Sequence, residues 1–310
     1  MDWRQRAGRE PHIAGIRRSF RDLEAEQQQL LQTKQIDAER TAGDWVRLLA
    51  PLAAYDAEAD KLRSRLGGWM LGIGIGGFIL AIIAVAINPI AGAAIAVAVI
   101  IAELVLLPNY RFTKKLDVNR TPLEFITGVA PILREDCSDD GSLHLRLDMR
   151  GAIMNEKETG KSQPYSRGRY YRIIDTYYMD PWCAGGAAFV DGTQVQWIAT
   201  DYVRSQRKTK RNPRGKVKTK TKNKKKTNLD VIVTFTDKLY DTAEGTSGPD
   251  RQLKKAKVKD GGPDSKTVVR TRRTIKSPSA QTALDPRHLV DMIAASYERV
   301  KPTRRKKLAG

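Results

Sequence analysis

Cysteine and histidine are scarce in this chain of 310 residues, and their placement restricts the chemistry it can perform. Cys137 and Cys183 match no metal-ligand spacing, and the three histidines lie far apart. The sequence also has no phosphate-binding loop, no Gly-x-Ser-x-Gly motif and no cluster of metal ligands. We therefore predict that the protein is not an enzyme and that it uses neither a metal nor another cofactor.

Charge is missing from one long stretch of the sequence. Residues 69–87 carry no charged side chain, and residues 90–107 carry a single glutamate. At about 1.5 Å per residue, a helix of either length crosses most of a bilayer core of about 30 Å. The intervening Asn88-Pro89 breaks a helix. The pattern predicts a transmembrane helical hairpin over residues 67–110, and the alternative is an apolar hairpin buried in a soluble core.

The basic residues around these spans predict their orientation. Lys61, Arg63 and Arg65 precede the first span, further basic residues follow the second, and the connection between the spans is uncharged. The positive-inside rule then places both flanks in the cytoplasm. We expect a multi-pass protein of the plasma (inner) membrane whose N- and C-termini are both cytoplasmic.

Glycines recur at a regular interval at the start of the first span. Gly68, Gly72 and Gly76 are each four residues apart, a spacing at which small residues let two helices approach closely in lipid. One interpretation is that this face assembles copies of the chain into an oligomer. The other is that it packs on the chain's own second span, where Gly92 and nearby alanines offer a small surface.

The segment before the membrane, residues 1–66, is polar and close to neutral. Apolar residues recur at helical spacing over residues 10–49 and again from residue 52. We predict a cytoplasmic helical stalk that is amphipathic and resembles a coiled coil, with a kink at Pro51. Two alternatives remain open for its apolar face, which binds either a partner helix or the C-terminal domain of its own chain.

The region after the membrane is strongly basic, because residues 111–300 carry +15 and residues 301–310 carry +5 in a chain whose net charge is +20. Apolar and polar residues alternate in several runs, and two helices are expected beside them, which predicts a cytoplasmic basic α+β domain with an antiparallel sheet. Residues 241–265 are predicted to be a flexible loop, and residues 301–310 a basic tail. Strand parity predicts a core that includes Val195, Trp197, Leu229, Val231, Val233 and Phe235.

Positive charge is densest between residues 201 and 226, which hold thirteen basic residues and one acidic residue. Arg211 to Gly215 has the composition of a turn, so we predict that residues 200–226 form a β-arm that projects from the sheet. Lysines at alternate strand positions repeat roughly every 6.8 Å, which suits a polyanion. The predicted contacts with an anionic partner are Arg204, Arg207, Lys208, Lys210, Arg211, Pro213, Arg214, Lys216, Lys218, Lys220, Lys222 and Lys224.

The tip of this arm, Arg211-Asn212-Pro213, resembles the arm tip of the bacterial histone-like HU family. The resemblance covers five residues, and the family's following Thr-Gly is replaced here by Arg214-Gly215. It implies that the ribbon enters the minor groove of DNA, with Pro213 as a wedge between base steps and Arg211, Arg214 and Lys216 on the phosphates.

The residues together predict a membrane-anchored, non-enzymatic binding or scaffold protein whose basic arm engages an anionic partner, either nucleic acid or acidic lipid. The first alternative is an oligomeric membrane effector or pore subunit that assembles through the glycine-rich span. The second is a subunit of a larger membrane complex that binds an acidic protein. A fourth interpretation treats the arm as a solvated basic loop, and a small-molecule substrate is not expected.

Overall fold

The computed structural model describes residues 13–137, 141–236, 239–242, 255–259, 267–277 and 283–302. The chain divides into two compact units. We call the first, Met1–Lys34 with Leu48–Val118, the helical unit, and the second, Gln35–Arg47 with Asn119–Gly310, the sheet unit.

The described part of the helical unit consists of four helices: α1 (Ile13–Arg21), α2 (Ala25–Thr33), α3 (Ala42–Ile87, whose first residues belong to the sheet unit) and α4 (Pro89–Lys115). Asn88 alone separates α3 from α4, and its side chain caps α4 by accepting from the amides of Ile90 (2.9 Å) and Ala91 (3.4 Å). Because Pro89 occupies the first helical position, its missing N–H leaves no donor unsatisfied. The predicted helical hairpin is confirmed.

Helices α3 and α4 are both long and apolar enough to cross a membrane. Within the most apolar window of each, only 6% and 11% of the residues are buried. A hairpin that served as the core of a soluble domain would instead enclose these side chains. This exposure favours membrane association over the buried hairpin.

The predicted single helix over residues 10–49 is wrong, because residues 35–41 form a strand. Lys34 ends α2 in the left-handed conformation (φ 58°), and Gln35–Thr41 then pairs with a strand of the sheet unit. The first two helices pack inside the helical unit, where Phe20 meets Tyr55 and the edge of Phe112. Helix α3 continues through Pro51 without a break.

The sheet unit is α+β with antiparallel strand pairing throughout its described part, as predicted. Its main sheet has the order β1-β2-β5-β6-β7-β10-β9, with β3 and β4 also paired to β5, and β8 pairs with β11. The elements are β1 (Gln35–Thr41), α5 (Arg120–Asp136), β2 (Ser142–Asp148), a 3-10 turn (Asn155–Lys157), β3 (Glu158–Lys161), β4 (Tyr165–Arg167), β5 (Tyr170–Ala188), β6 (Gln194–Arg211), β7 (Val217–Phe235), β8 (Tyr240–Thr242), β9 (Lys255–Lys259), β10 (Thr267–Ser277), α6 (Arg287–Tyr297) and β11 (Val300–Pro302).

The core of this unit lies between one face of the sheet and helices α5 and α6. Helix α6 contacts β7 and β10, and α5 contacts β5 and α6. Phe125 of α5 packs edge-on against Trp182 with 5.5 Å between ring centroids. The residues predicted to face the core are all at most 1% exposed: Val195, Trp197, Leu229, Val231, Val233 and Phe235.

The predicted loop over residues 241–265 is wrong for residues 255–259, which form β9 on the edge of the sheet. Tyr240–Thr242 also pairs, with Val300–Pro302, so the first residues of the predicted tail are likewise a strand. The remainder of the loop, residues 243–254 and 260–265, and residues 303–310 of the tail lie outside the described residues.

Candidate functional site

The basic residues 201–226 lie in the part of the sheet that extends past the end of β10. Strands β6 and β7 stay paired from Gln194↔Thr234 to Arg211↔Val217, whereas β10 covers β7 only between Lys225 and Phe235. The reversal between β6 and β7 is closed by the amide of Gly215, which donates to the carbonyl oxygen of Asn212 at 2.8 Å. Gly215 has φ 76°, a conformation that favours glycine.

This region differs from the isolated two-stranded arm that the sequence suggested. Strand β5 pairs with β6 from Arg172↔Thr209 to Asp180↔Asp201, and β3 and β4 pair with β5 on its other side. The chain therefore builds a wider sheet here. We call residues 170–180, 201–211 and 217–227 the sheet extension.

The predicted contact residues divide between the two faces of the sheet extension. Since cross-strand partners share a face and successive residues alternate, the even-numbered residues of β6 and β7 lie on one side, which we call the lysine face. It carries Arg204, Lys208, Lys210, Lys218, Lys220, Lys222 and Lys224. The opposite face carries Arg207 and Arg211, and the connecting turn holds Pro213, Arg214 and Lys216.

Positive charge on the lysine face is largely uncompensated. Within the part of the chain that the structure describes, no carboxylate lies within 4.0 Å of the charged groups of Arg204, Lys222 or Lys224. Lys225, which points to the core, is buried and pairs with Asp201 at 3.4 Å. Like charges brought this close raise the local potential and favour a polyanion.

The middle of the lysine face holds a groove that sequence reasoning did not select. Tyr177, Tyr202, Arg204, Lys224 and Lys226 line it, together with Thr159, Tyr178 and Val203, and its volume is about 630 Å³. Both Tyr177 and Tyr202 are 42% exposed. An exposed tyrosine pair, beside cations that have no carboxylate partner among the described residues, is unusual for a face that only needs to be soluble.

Tyr177 faces outward because β5 contains a bulge. The pairing with β6 shifts by one residue between Asp180 and Cys183. Odd-numbered residues of β5 therefore point towards the core after the bulge and away from it before the bulge. Cys183 is buried and Tyr177 is exposed for this reason. Parity alone, read from the sequence, cannot show where such a shift occurs.

Buried charges hold the base of the sheet extension. The Lys157 ammonium donates to Asp180 Oδ1 at 2.7 Å and to the Gly151 carbonyl at 2.8 Å, and lies 3.2 Å from Asp148 Oδ2. Burial raises the pKa of Asp180, although its bond to Lys157 opposes this. These contacts connect β2, the 3-10 turn and β5, so the role of Lys157 is structural.

The helical unit contains an acidic cluster, formed by carboxylates of Asp56, Asp60 and Asp117 that lie within 4.8 Å of one another. The Arg63 guanidinium bonds to Asp60 and, at 2.6 Å, to Asp117. Burial alone would lower the pKa of Arg63, but the hydrogen bond and charge of Asp117 outweigh it and the pKa is raised. A paired arginine already satisfies this cluster.

Glycines of α3 and α4 meet two different surroundings. A Cβ at Gly77 would overlap Val99, and one at Gly92 would lie 2.6 Å from the backbone nitrogen of Val85, so the two spans pack through these positions. By contrast, a Cβ at Gly68, Gly72 or Gly76 would meet no atom within 4 Å. The regularly spaced glycines therefore face away from the second span.

The comparisons with known proteins add no relative. No protein-family model matches this chain, and neither a curated protein nor a solved structure resembles it significantly.

Proposed function

We propose that the protein is a membrane-anchored, non-enzymatic binding or scaffold protein whose sheet extension engages an anionic partner, either nucleic acid or an acidic lipid surface, on the cytoplasmic side. The observation that carries the proposal is the lysine face, where Arg204, Lys222 and Lys224 have no carboxylate partner in the described part of the chain. The two apolar helices support the anchor.

Elementary electrostatics favours this proposal. Each phosphate that a lysine neutralises releases condensed counterions, so affinity for nucleic acid falls steeply with salt. An anionic membrane surface attracts a nearby basic residue by about 1 kcal/mol. A face of seven or more such residues is sufficient for either partner.

The test is binding of the full-length protein, reconstituted in nanodiscs of neutral lipid, to a fluorescein-labelled 20-base-pair duplex and to vesicles containing 30% phosphatidylserine. With six to ten phosphate contacts, affinity for the duplex should fall about 10³- to 10⁵-fold between 50 and 200 mM salt. Changing Lys218, Lys220 and Lys222 to Gln should weaken binding at least 10-fold and lower the salt slope by about three.

A matched control removes the effect of net charge alone. Changing Thr219, Thr221 and Asn223 to Glu alters the charge of β7 by the same amount, but on the opposite face. We expect this variant to lose less affinity than the lysine variant. Absence of binding to both probes at 50 mM salt contradicts the proposal and leaves the acidic-protein alternative.

A second candidate function is an oligomeric membrane effector or pore subunit. Gly68, Gly72 and Gly76 support it because their face has room for another helix. Replacing Gly72 and Gly76 by Leu should then dissociate the assembly, as measured by light scattering in detergent. A monomeric mass for the unmodified protein contradicts this candidate.

A further inference from the structure

The groove on the lysine face combines two kinds of side chain that one ligand class needs together. Tyr177 and Tyr202 lie on neighbouring strands as diagonal neighbours, since Tyr177 pairs with Arg204 and Tyr202 pairs with Met179. Among the described residues neither ring packs on another aromatic ring. Their faces are thus available to a flat ligand.

Cations stand beside these rings in a regular row. Arg204 lies on β6, opposite Tyr177 and two residues from Tyr202. Lys222, Lys224 and Lys226 follow one another on the lysine face of β7. Alternate residues of a strand lie roughly 6.8 Å apart, which gives an evenly spaced positive edge along the groove. The edge is open, because no described strand pairs with β7 between Val217 and Lys224.

The shape of the groove distinguishes between the anionic ligands. The bases of a duplex are stacked inside the double helix. A duplex would therefore contact the lysines through its phosphates and could not stack a base on either tyrosine. A bilayer surface is flat and cannot enter a groove of about 630 Å³. A single strand is narrow enough to enter and exposes both phosphates and base faces.

We propose that this groove binds single-stranded nucleic acid, with bases stacked on Tyr177 and Tyr202 and phosphates bound by Arg204, Lys224 and Lys226. The inference rests on the proposed function and names the substrate class of the same face. Aromatic stacking on a sheet accepts any base, so binding is expected to be tolerant of sequence.

The test compares two labelled strands of equal charge, (dT)20 and a 20-mer of abasic sites, on the full-length protein in detergent. The unmodified protein should bind (dT)20 at least 10-fold more tightly. Tyr177→Ala and Tyr202→Ala should each weaken (dT)20 binding by roughly 5- to 100-fold and leave abasic binding unchanged. A (rU)20 arm then shows whether DNA or RNA is preferred.

Three further variants exclude a loss of folding. Tyr177→Phe and Tyr202→Phe keep the ring face, so each should retain (dT)20 binding within about 2-fold. Ile198→Ala removes a similarly exposed apolar side chain (44%) outside the groove and should have no effect.

The outcomes separate this inference from the proposed function. Equal binding of both strands, or alanine variants that bind (dT)20 normally, overturns the groove and leaves a face that responds only to charge. Binding to phosphatidylserine vesicles but to neither strand also overturns it and identifies lipid as the partner. Binding to no anionic probe overturns both.

Discussion

Lys157 is a buried cation at the base of the sheet extension, with a side chain only 7% exposed. Its removal leaves the Asp180 carboxylate buried without its closest counter-charge. We predict that Lys157→Ala lowers the free energy of unfolding by about 3–5 kcal/mol, measured by denaturant unfolding in detergent. Lys161→Ala, which breaks an exposed pair with Glu158, should cost less than about 1 kcal/mol. Similar losses for the two variants would contradict the assigned role.

Asp148 gives the sheet unit a dependence on pH. Burial alone would raise its pKa, but hydrogen bonds from Arg150 and the nearby charge of Lys157 outweigh burial and lower the pKa from 3.8 to about 2. A depressed folded-state pKa contributes stability above the unfolded value, and that contribution is lost as pH falls through the folded value. We expect stability to drop between pH 4 and pH 2, and Asp148→Asn to flatten this part of the profile. An unchanged acid profile in this variant would show that other groups dominate.

Strand β7 is one continuous element with two different surroundings. Residues 227–235 have strand neighbours on both sides, whereas residues 217–224 pair with β6 alone in the described part of the chain. Amides with no strand partner exchange through small local openings. We predict that hydrogen exchange in 217–224 is at least 100-fold faster than in 227–235. Equal protection would mean that another chain covers this edge.

Helices α3 and α4 depend on close approach at two glycines. Gly92→Ala places a methyl group against the Val85 backbone, which cannot move without bending α3. We predict a loss of about 1–3 kcal/mol from this overpacking, seen as a lower thermal midpoint in detergent. Gly72→Ala is the matched control, because its Cβ enters open space. A fall in both midpoints would show that Gly72 is also enclosed, as it would be in an oligomer.

Strand β1 shows what local patterns cannot reveal. The sequence predicts a helix over Gln35–Thr41, because apolar residues on both sides keep helical spacing. Its strand conformation comes from pairing with β2, more than 100 residues away, where Ile36 faces Leu147. The long-range pairing overrides local propensity. Runs with strict alternation, such as β2 and the core half of β7, were predictable because one face is wholly buried.

At the scale of the whole molecule, the candidate site was predictable in charge but not in shape. The position of the face could be predicted from the sequence, because lysines occupy every second residue from Lys218 to Lys224. The groove needed the β5 bulge and the β5–β6 pairing, which place Tyr177 beside Arg204. A one-residue shift decides which side of a sheet a ring occupies, and no composition or spacing encodes it.

Charge predicts how the chain as a whole is arranged across a membrane. The turn at Asn88 is uncharged, whereas basic residues flank both spans, so we expect the turn outside and both flanks in the cytoplasm. In intact cells, Asn88→Cys should react with a membrane-impermeant maleimide and Asn223→Cys should react only after permeabilisation. The native Cys137 and Cys183 are buried and give little background. Labelling of Asn223→Cys in intact cells would show that the topology is the reverse of the predicted one. The lysine face would then meet partners outside the cell.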